Sequence, residues 1–180
     1  MEVTKFAIEG LLLFELRVFS DDRGLFFESF NQHRYKMHIG EQINFVQDNI
    51  SSSSKGVLRG LHFQDEPVAQ GKLVQVLNGK VLDVAVDIRP GSPTFGQHQM
   101  VELSGDRYQQ FWIPPGFAHG FIALEDRTIF SYKCTSYYSP EHERTIRWDD
   151  EDLGIDWRTN QPILSSKDAV GEKLINFRKF

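Results

Sequence analysis

A mainly β fold, of the jelly-roll sandwich or barrel kind, is what this sequence predicts, and three observations carry it. From Gly56 to Thr135, short apolar-rich runs follow one another with Gly, Pro, Asp and Asn signals between them. The run from Leu82 to Ile88 alternates strictly, with Leu82, Val84, Val86 and Ile88 on one face and Asp83, Ala85 and Asp87 on the other. Aromatic residues make up 13% of the chain, fifteen of them Phe, a content that suits sheets with ring-lined surfaces.

Taken in order, residues 1–20 read as one or two strands, with Leu11 to Leu16 buried. Asp21-Asp22-Arg23-Gly24 is a turn signal, followed by the apolar Leu25-Phe26-Phe27 and then Glu28. Asn31 caps a short helix running through Met37, with Gly40 at its end. Phe45 to Asn49 forms a strand carrying two amides, and the polar Ser51 to Lys55 is expected as a loop. Lys72 to Leu77, the pair Asn78-Gly79, and Lys80 to Ile88 read as a hairpin. Strands near 96–103, 109–113, 119–124 and 128–136 follow. After Tyr138 the chain is irregular until a C-terminal helix from Ser165, where Ser165 and Asp168 have capping-box spacing with Asp in place of Glu. With no linker, repeat or low-complexity tract, residues 1–180 are expected to form a single domain.

Composition narrows the functions. A net charge of −5 gives no basic face for nucleic acid. Cys134 is the only cysteine, so no intrachain disulfide can form, and a reducing cytoplasm is the simplest setting. The apolar run from Ile8 to Leu16 is interrupted by Glu9 and Glu15 and is too short to span a bilayer. No P-loop and no Rossmann fingerprint is present, which argues against a nicotinamide enzyme.

The chemistry gathers around Arg59-Gly60-Leu61-His62-Phe63-Gln64. Alternation points Leu61 and Phe63 to a core and leaves His62 and Gln64 facing whatever the other side encloses. Gly56 ahead of His62, and Pro114-x-Gly116-x-x-His119 later, resemble the motifs of metal cupins. The second histidine of the cupin pair is Gln64 here, and the carboxylate position falls on Lys72. An ammonium where a metal needs an anionic ligand repels the ion, so no metal is expected. Lys72 beside two histidines makes an acid–base pocket instead. His62 can serve as a general base, Lys72 can hold an oxyanion, and Tyr132 can relay a proton. Arg23, Arg59 and Lys167 offer anion contacts. The residues by themselves point to cofactor-free α-proton chemistry on an anionic carbonyl compound.

Matched blocks extend almost end to end. They include Asp22-Arg23-Gly24, Phe45-Val46-Gln47-Asp48-Asn49, Val57 to His62, Gln70-Gly71-Lys72-Leu73-Val74, Asp83 to Arg89, Ser92 to Gly96, Pro115 to Phe121, Tyr132-Lys133-Cys134-Thr135 and Ser166-Lys167-Asp168. In these the chain resembles the dTDP-4-dehydrorhamnose 3,5-epimerases of dTDP-L-rhamnose synthesis, enzymes of cupin-type jelly-roll fold. The resemblance implies that His62 is the base, Asp168 its dyad partner, Tyr132 the opposite proton donor and Lys72, with His119 beside it, the enolate stabiliser. It matches Arg23, Glu28, Gln47, Asp48, Asn49, Arg59, Glu143 and Lys167 to nucleotide-sugar contacts. It further implies no metal or organic cofactor, and a homodimer whose N-terminal region is exchanged into the partner's sheet. Phe63 stands where the family more often has Tyr. Relatives that invert C3 or C5 alone keep much the same His, Lys and Tyr set, so a mono-epimerase is the alternative expectation.

Overall fold

The structure, a computed structural model, describes residues 1–177. Thirteen strands and one helix follow in order: β1 (Glu2–Lys5), β2 (Leu12–Glu15), β3 (Val18–Asp21), β4 (Gly24–Phe27), α1 (Gln32–Ile39), β5 (Gln47–Ser53), β6 (Leu58–Gln64), β7 (Lys72–Asn78), β8 (Lys80–Asp87), β9 (His98–Ser104), β10 (Gln109–Ile113), β11 (Phe117–Ala123), β12 (Thr128–Cys134) and β13 (Glu143–Thr145). A six-stranded sheet runs β1-β2-β10-β7-β12-β5, facing a five-stranded sheet β13-β6-β11-β8-β9, while β3 and β4 pair only with each other. Strand pairing is antiparallel throughout the three sheets. The expected mainly β jelly roll is the observed fold.

Three apolar layers result from the period-2 alternation. Between the sheets lie Val74, Val76, Val81, Ala85, Leu103, Phe111, Phe121 and Phe130. The outer face of the five-stranded sheet (Leu58, Leu61, Phe63, Leu82, Val84, Val86) is covered by the segment after β13 through Leu153, Trp157 and Leu174. Leu58 and Leu61 are fully buried there, each contributing about 1.5–3 kcal/mol. The outer face of the six-stranded sheet packs Leu12, Phe14, Leu73 and Trp112 against Tyr35 of α1. Asn31 caps that helix by accepting the Arg34 N–H at 3.3 Å, and Gly40 ends it at φ +112°.

Three local expectations are corrected. The run 72–88 is not a hairpin, because β7 lies in one sheet and β8 in the other. Asn78-Gly79 reverses the chain as its residues demand, but at a corner between sheets, with Gly79 at φ +78° and a Cβ there meeting Thr128 Oγ1 at 2.5 Å. Ser51 to Ser53 continue β5 against Phe130, Ile129 and Thr128 rather than forming a loop. The inward face of that strand is Gln47, Asn49, Ser51 and Ser53, polar for the reason given below. The C-terminal helix from Ser165 is instead two 3₁₀ turns, Asp168–Val170 and Leu174–Phe177. They are tied on by single parallel bridges, Val57 to Ile163 and Ile146 to Glu172.

Candidate active site

Alternation along β6 sets the site. Leu61 and Phe63 turn outward into the covered layer, so His62 turns inward between the sheets. β6 and β11 approach very closely at Gly60 and Gly120. A Cβ on Gly60, at φ +129°, would stand 2.5 Å from Gly120 Cα. The register shifts between His119 and Phe121, leaving His119 directly opposite His62 in the ladder. The opposing sheet supplies Lys72 from the first position of β7 and Tyr132 from β12, where Phe130, Tyr132 and Cys134 share one face.

Arg59, His62, Lys72, His119, Tyr132, Glu143, Lys167 and Asp168 line one cavity of about 270 Å³ with Ser51, Phe121, Phe130 and Ser165. A smaller adjoining cleft of about 100 Å³ shares His62, Lys72, Tyr132 and Glu143 and adds Gln47, Asn49, Gln64 and Tyr138. The polar inward face of β5 is therefore cavity wall. Asp48 points the other way, paired with Lys133 at 2.9 Å. Arg23 lies outside, on the β3–β4 turn with its side chain 90% exposed and bound to Asp21. Glu28 is also outside, paired with Arg34 at 3.1 Å.

His62 Nε2 lies 2.5 Å from Asp168 Oδ1. A carboxylate there fixes the proton on Nε2 and leaves Nδ1 as the basic nitrogen. Burial pushes the imidazole pKa below its usual value, the hydrogen bond it donates to the Asp168 carboxylate opposes this, and Lys167 and Lys72 push it down further. Neutral, base-competent His62 thus persists to lower pH than a free imidazole. Burial alone would raise the Asp168 carboxyl, but hydrogen bonds from His62 and Ser165 outweigh it and hold the group below the usual value.

Lys72 is 8% exposed, and its Nζ donates to the His62 carbonyl at 3.3 Å. Burial lowers its pKa, against the pull of Cys134, Asp83 and Glu143. Burial raises that of Tyr132, which keeps its phenol protonated at neutral pH. Glu143 holds Lys167 Nζ at 2.7 Å and the Tyr138 hydroxyl at 2.9 Å on its two oxygens.

Two partners were missed in the sequence. Asp83 is fully buried and binds His119 Nε2 at 2.9 and 3.0 Å. An acid alternating with valines in β8 was the signal. Ser165 was read only as a cap, yet its hydroxyl reaches Asp168 Oδ2 at 2.7 Å. Gln64, at the vacant histidine position of the cupin pattern, is spent on the backbone of Val68, Tyr137 and Ser139. Among the described residues no group of three or more His, Cys, Asp or Glu stands close enough to hold a metal ion.

An imidazole–carboxylate pair facing a buried ammonium and a phenol across a jelly roll is equipment for moving protons at carbon. By fold and site the molecule falls among the cupin-type carbohydrate isomerases. A family model described as dTDP-4-dehydrorhamnose 3,5-epimerase matches residues 5–176, and the chain belongs to that family. The dTDP-4-dehydrorhamnose 3,5-epimerase of Shigella flexneri is 52% identical over 176 residues, covering 98% of this chain and 97% of that one. The crystal structure of a dTDP-6-deoxy-D-glucose-3,5-epimerase from Legionella pneumophila, in complex with dTDP-4-keto-L-rhamnose, superposes with a TM-score of 0.93 at 52% identity, covering 97% and 93% of the two chains. A 3′-monoepimerase from Streptomyces bikiniensis, in complex with dTDP-quinovose, gives a TM-score of 0.89 at 34% identity, covering 94% and 86%.

Proposed function

We propose that this chain epimerises dTDP-4-dehydro-6-deoxy-glucose at C3 and C5 to dTDP-4-dehydro-L-rhamnose. The observation that carries the reading is the arrangement across the barrel. The His62–Asp168 pair approaches from the side of the five-stranded sheet, and Lys72 and Tyr132 from the six-stranded one. In this reading His62 Nδ1 removes a proton α to the C4 ketone. Lys72, with His119 held by Asp83, stabilises the enolate oxygen. Tyr132 returns a proton to the opposite face, inverting the carbon. The ketone acidifies both C3 and C5, so one base serves both after the ring is repositioned. Arg59 and Lys167, with Gln47, Asn49 and Glu143 along the wall, take the nucleotide and its diphosphate. No metal or organic cofactor is called on in this reading, in which Lys72 occupies the place of an anionic metal ligand.

The test is NMR of the substrate incubated with the enzyme in deuterated water. Deuterium is expected at both C3 and C5, with rhamnose-configured product trapped by a reductase. Exchange and inversion at one carbon would move the protein to mono-epimerisation. No exchange at all would overturn the reading.

We also infer a homodimer. Among the described residues the β3–β4 hairpin pairs with no other strand, and it leaves Phe19 and Leu25 50% exposed and Phe26 69% exposed around Arg23. A second copy would cover these rings and accept Arg23, Glu28 and Asp48 near its own cavity. Light scattering after size exclusion is expected to give twice the 20.8 kDa chain mass, and a monomer would refute it. The strands shared among the three apolar layers support one domain. One buried, unpaired thiol at Cys134 fits a reducing cytoplasm, and among the described residues no helix is long and apolar enough to cross a membrane.

A further inference from the structure

Asp168 is delivered to His62 by no strand. It opens a three-residue 3₁₀ turn in a segment fastened by isolated bridges, which is weak support for a group whose orientation matters. What fixes its carboxylate is Ser165. The Ser165 Oγ accepts the Asp168 backbone N–H at 3.1 Å and donates its own proton to Asp168 Oδ2 at 2.7 Å, while its carbonyl accepts the Ala169 N–H at 3.0 Å. A hydroxyl has one proton to give, and here it goes to the carboxylate. With Oδ1 taken by His62 and Oδ2 by Ser165, both oxygens are held and the carboxylate plane is set. Asp168 is 3% exposed, so an Oδ2 deprived of Ser165 would be buried without a partner. Lys167, the nearest cation in sequence, is engaged by Glu143.

We propose that Ser165 is a positioning residue for the epimerisation, the third member of a His62–Asp168–Ser165 hydrogen-bond relay. The inference rests on the reading of His62 as the base. When His62 takes up the substrate proton, the imidazolium that forms must be met by an anion already aimed at Nε2. Ser165 keeps Asp168 both anionic and aimed.

Ser165 also borders the cavity, so the test separates positioning from substrate contact. Steady-state kinetics against pH would be measured for Ser165→Ala, Ser165→Thr, Asp168→Asn and the Ser165→Ala/Asp168→Asn double variant. Ser165→Ala is expected to lower kcat about tenfold with KM little changed, the lower range for a hydrogen bond to a charged group. Its low-pH limb of kcat/KM should move to higher pH, because a carboxylate stripped of a donor draws the proton onto the dyad more readily. Ser165→Thr, which keeps the hydroxyl, should recover most of kcat. In the Asp168→Asn background the Ser165 change should cost nothing further. A raised KM with unchanged kcat and pH profile, or an undiminished cost in that background, would overturn the proposal. Wild-type kcat in Asp168→Asn would overturn it at its root, by removing the dyad itself.

Discussion

His62→Asn is expected to abolish both epimerised product and solvent deuterium exchange. The substitution removes the imidazole that Asp168 orients, whose Nδ1 is the proposed base. Asn still offers an amide N–H to the buried Asp168, so the variant tests the base rather than the cost of an orphaned carboxylate. Loss of one positioned proton-transfer group costs roughly 10²–10⁴-fold. Both abstractions run through the same group in this reading, so inversion at C3 and at C5 is expected to fall together. Circular dichroism and dTDP binding, read by calorimetry, should remain near wild type, because Leu61 and Phe63 still anchor β6 from the other side. Turnover within tenfold of wild type would remove His62 from the mechanism.

Tyr132→Phe should separate the two halves of the reaction. The ring stays packed against Phe130, 6.1 Å away between centroids, and only the phenolic proton is lost. Abstraction by His62 and enolate stabilisation by Lys72 remain. The enolate can then be reprotonated only from the face it came from. The expected result is deuterium entering the sugar with retained configuration, while inverted product falls roughly 10²-fold or more. NMR of the recovered substrate distinguishes retention from inversion directly. Wild-type inversion in this variant would show that the second proton comes from elsewhere.

How far the sequence alone carried the argument depended on which physical signal each element used. Alternation along 58–64 and 82–88 placed His62 inward and the apolar layers outward, because period 2 is a property of the strand itself. The corner at Asn78-Gly79 was read as a hairpin because turn chemistry states that the chain reverses, and nothing local states which sheet receives it. Ser51 to Ser53 hid as a strand because the strand's inner face is cavity rather than core, so no apolar alternation marks it. Asp168 and Lys167 could be joined to His62 only through resemblance, since 106 positions separate the two ends of the dyad. Arg23 and Glu28 stay outside the cavity of their own chain, which no spacing argument within one chain could resolve.

The strap that carries Lys167 and Asp168 has a consequence for the timing of synthesis. Every strand of the two facing sheets is encoded by residue 145, yet the carboxylate paired with His62 and a cation of the cavity arrive after residue 163. A nascent chain can pair its strands while His62 still lacks its counter-ion and the outer layer awaits Leu153, Trp157 and Leu174. In the proposed reading the His62–Asp168 pair is therefore completed only after the strands that frame the cavity have been made.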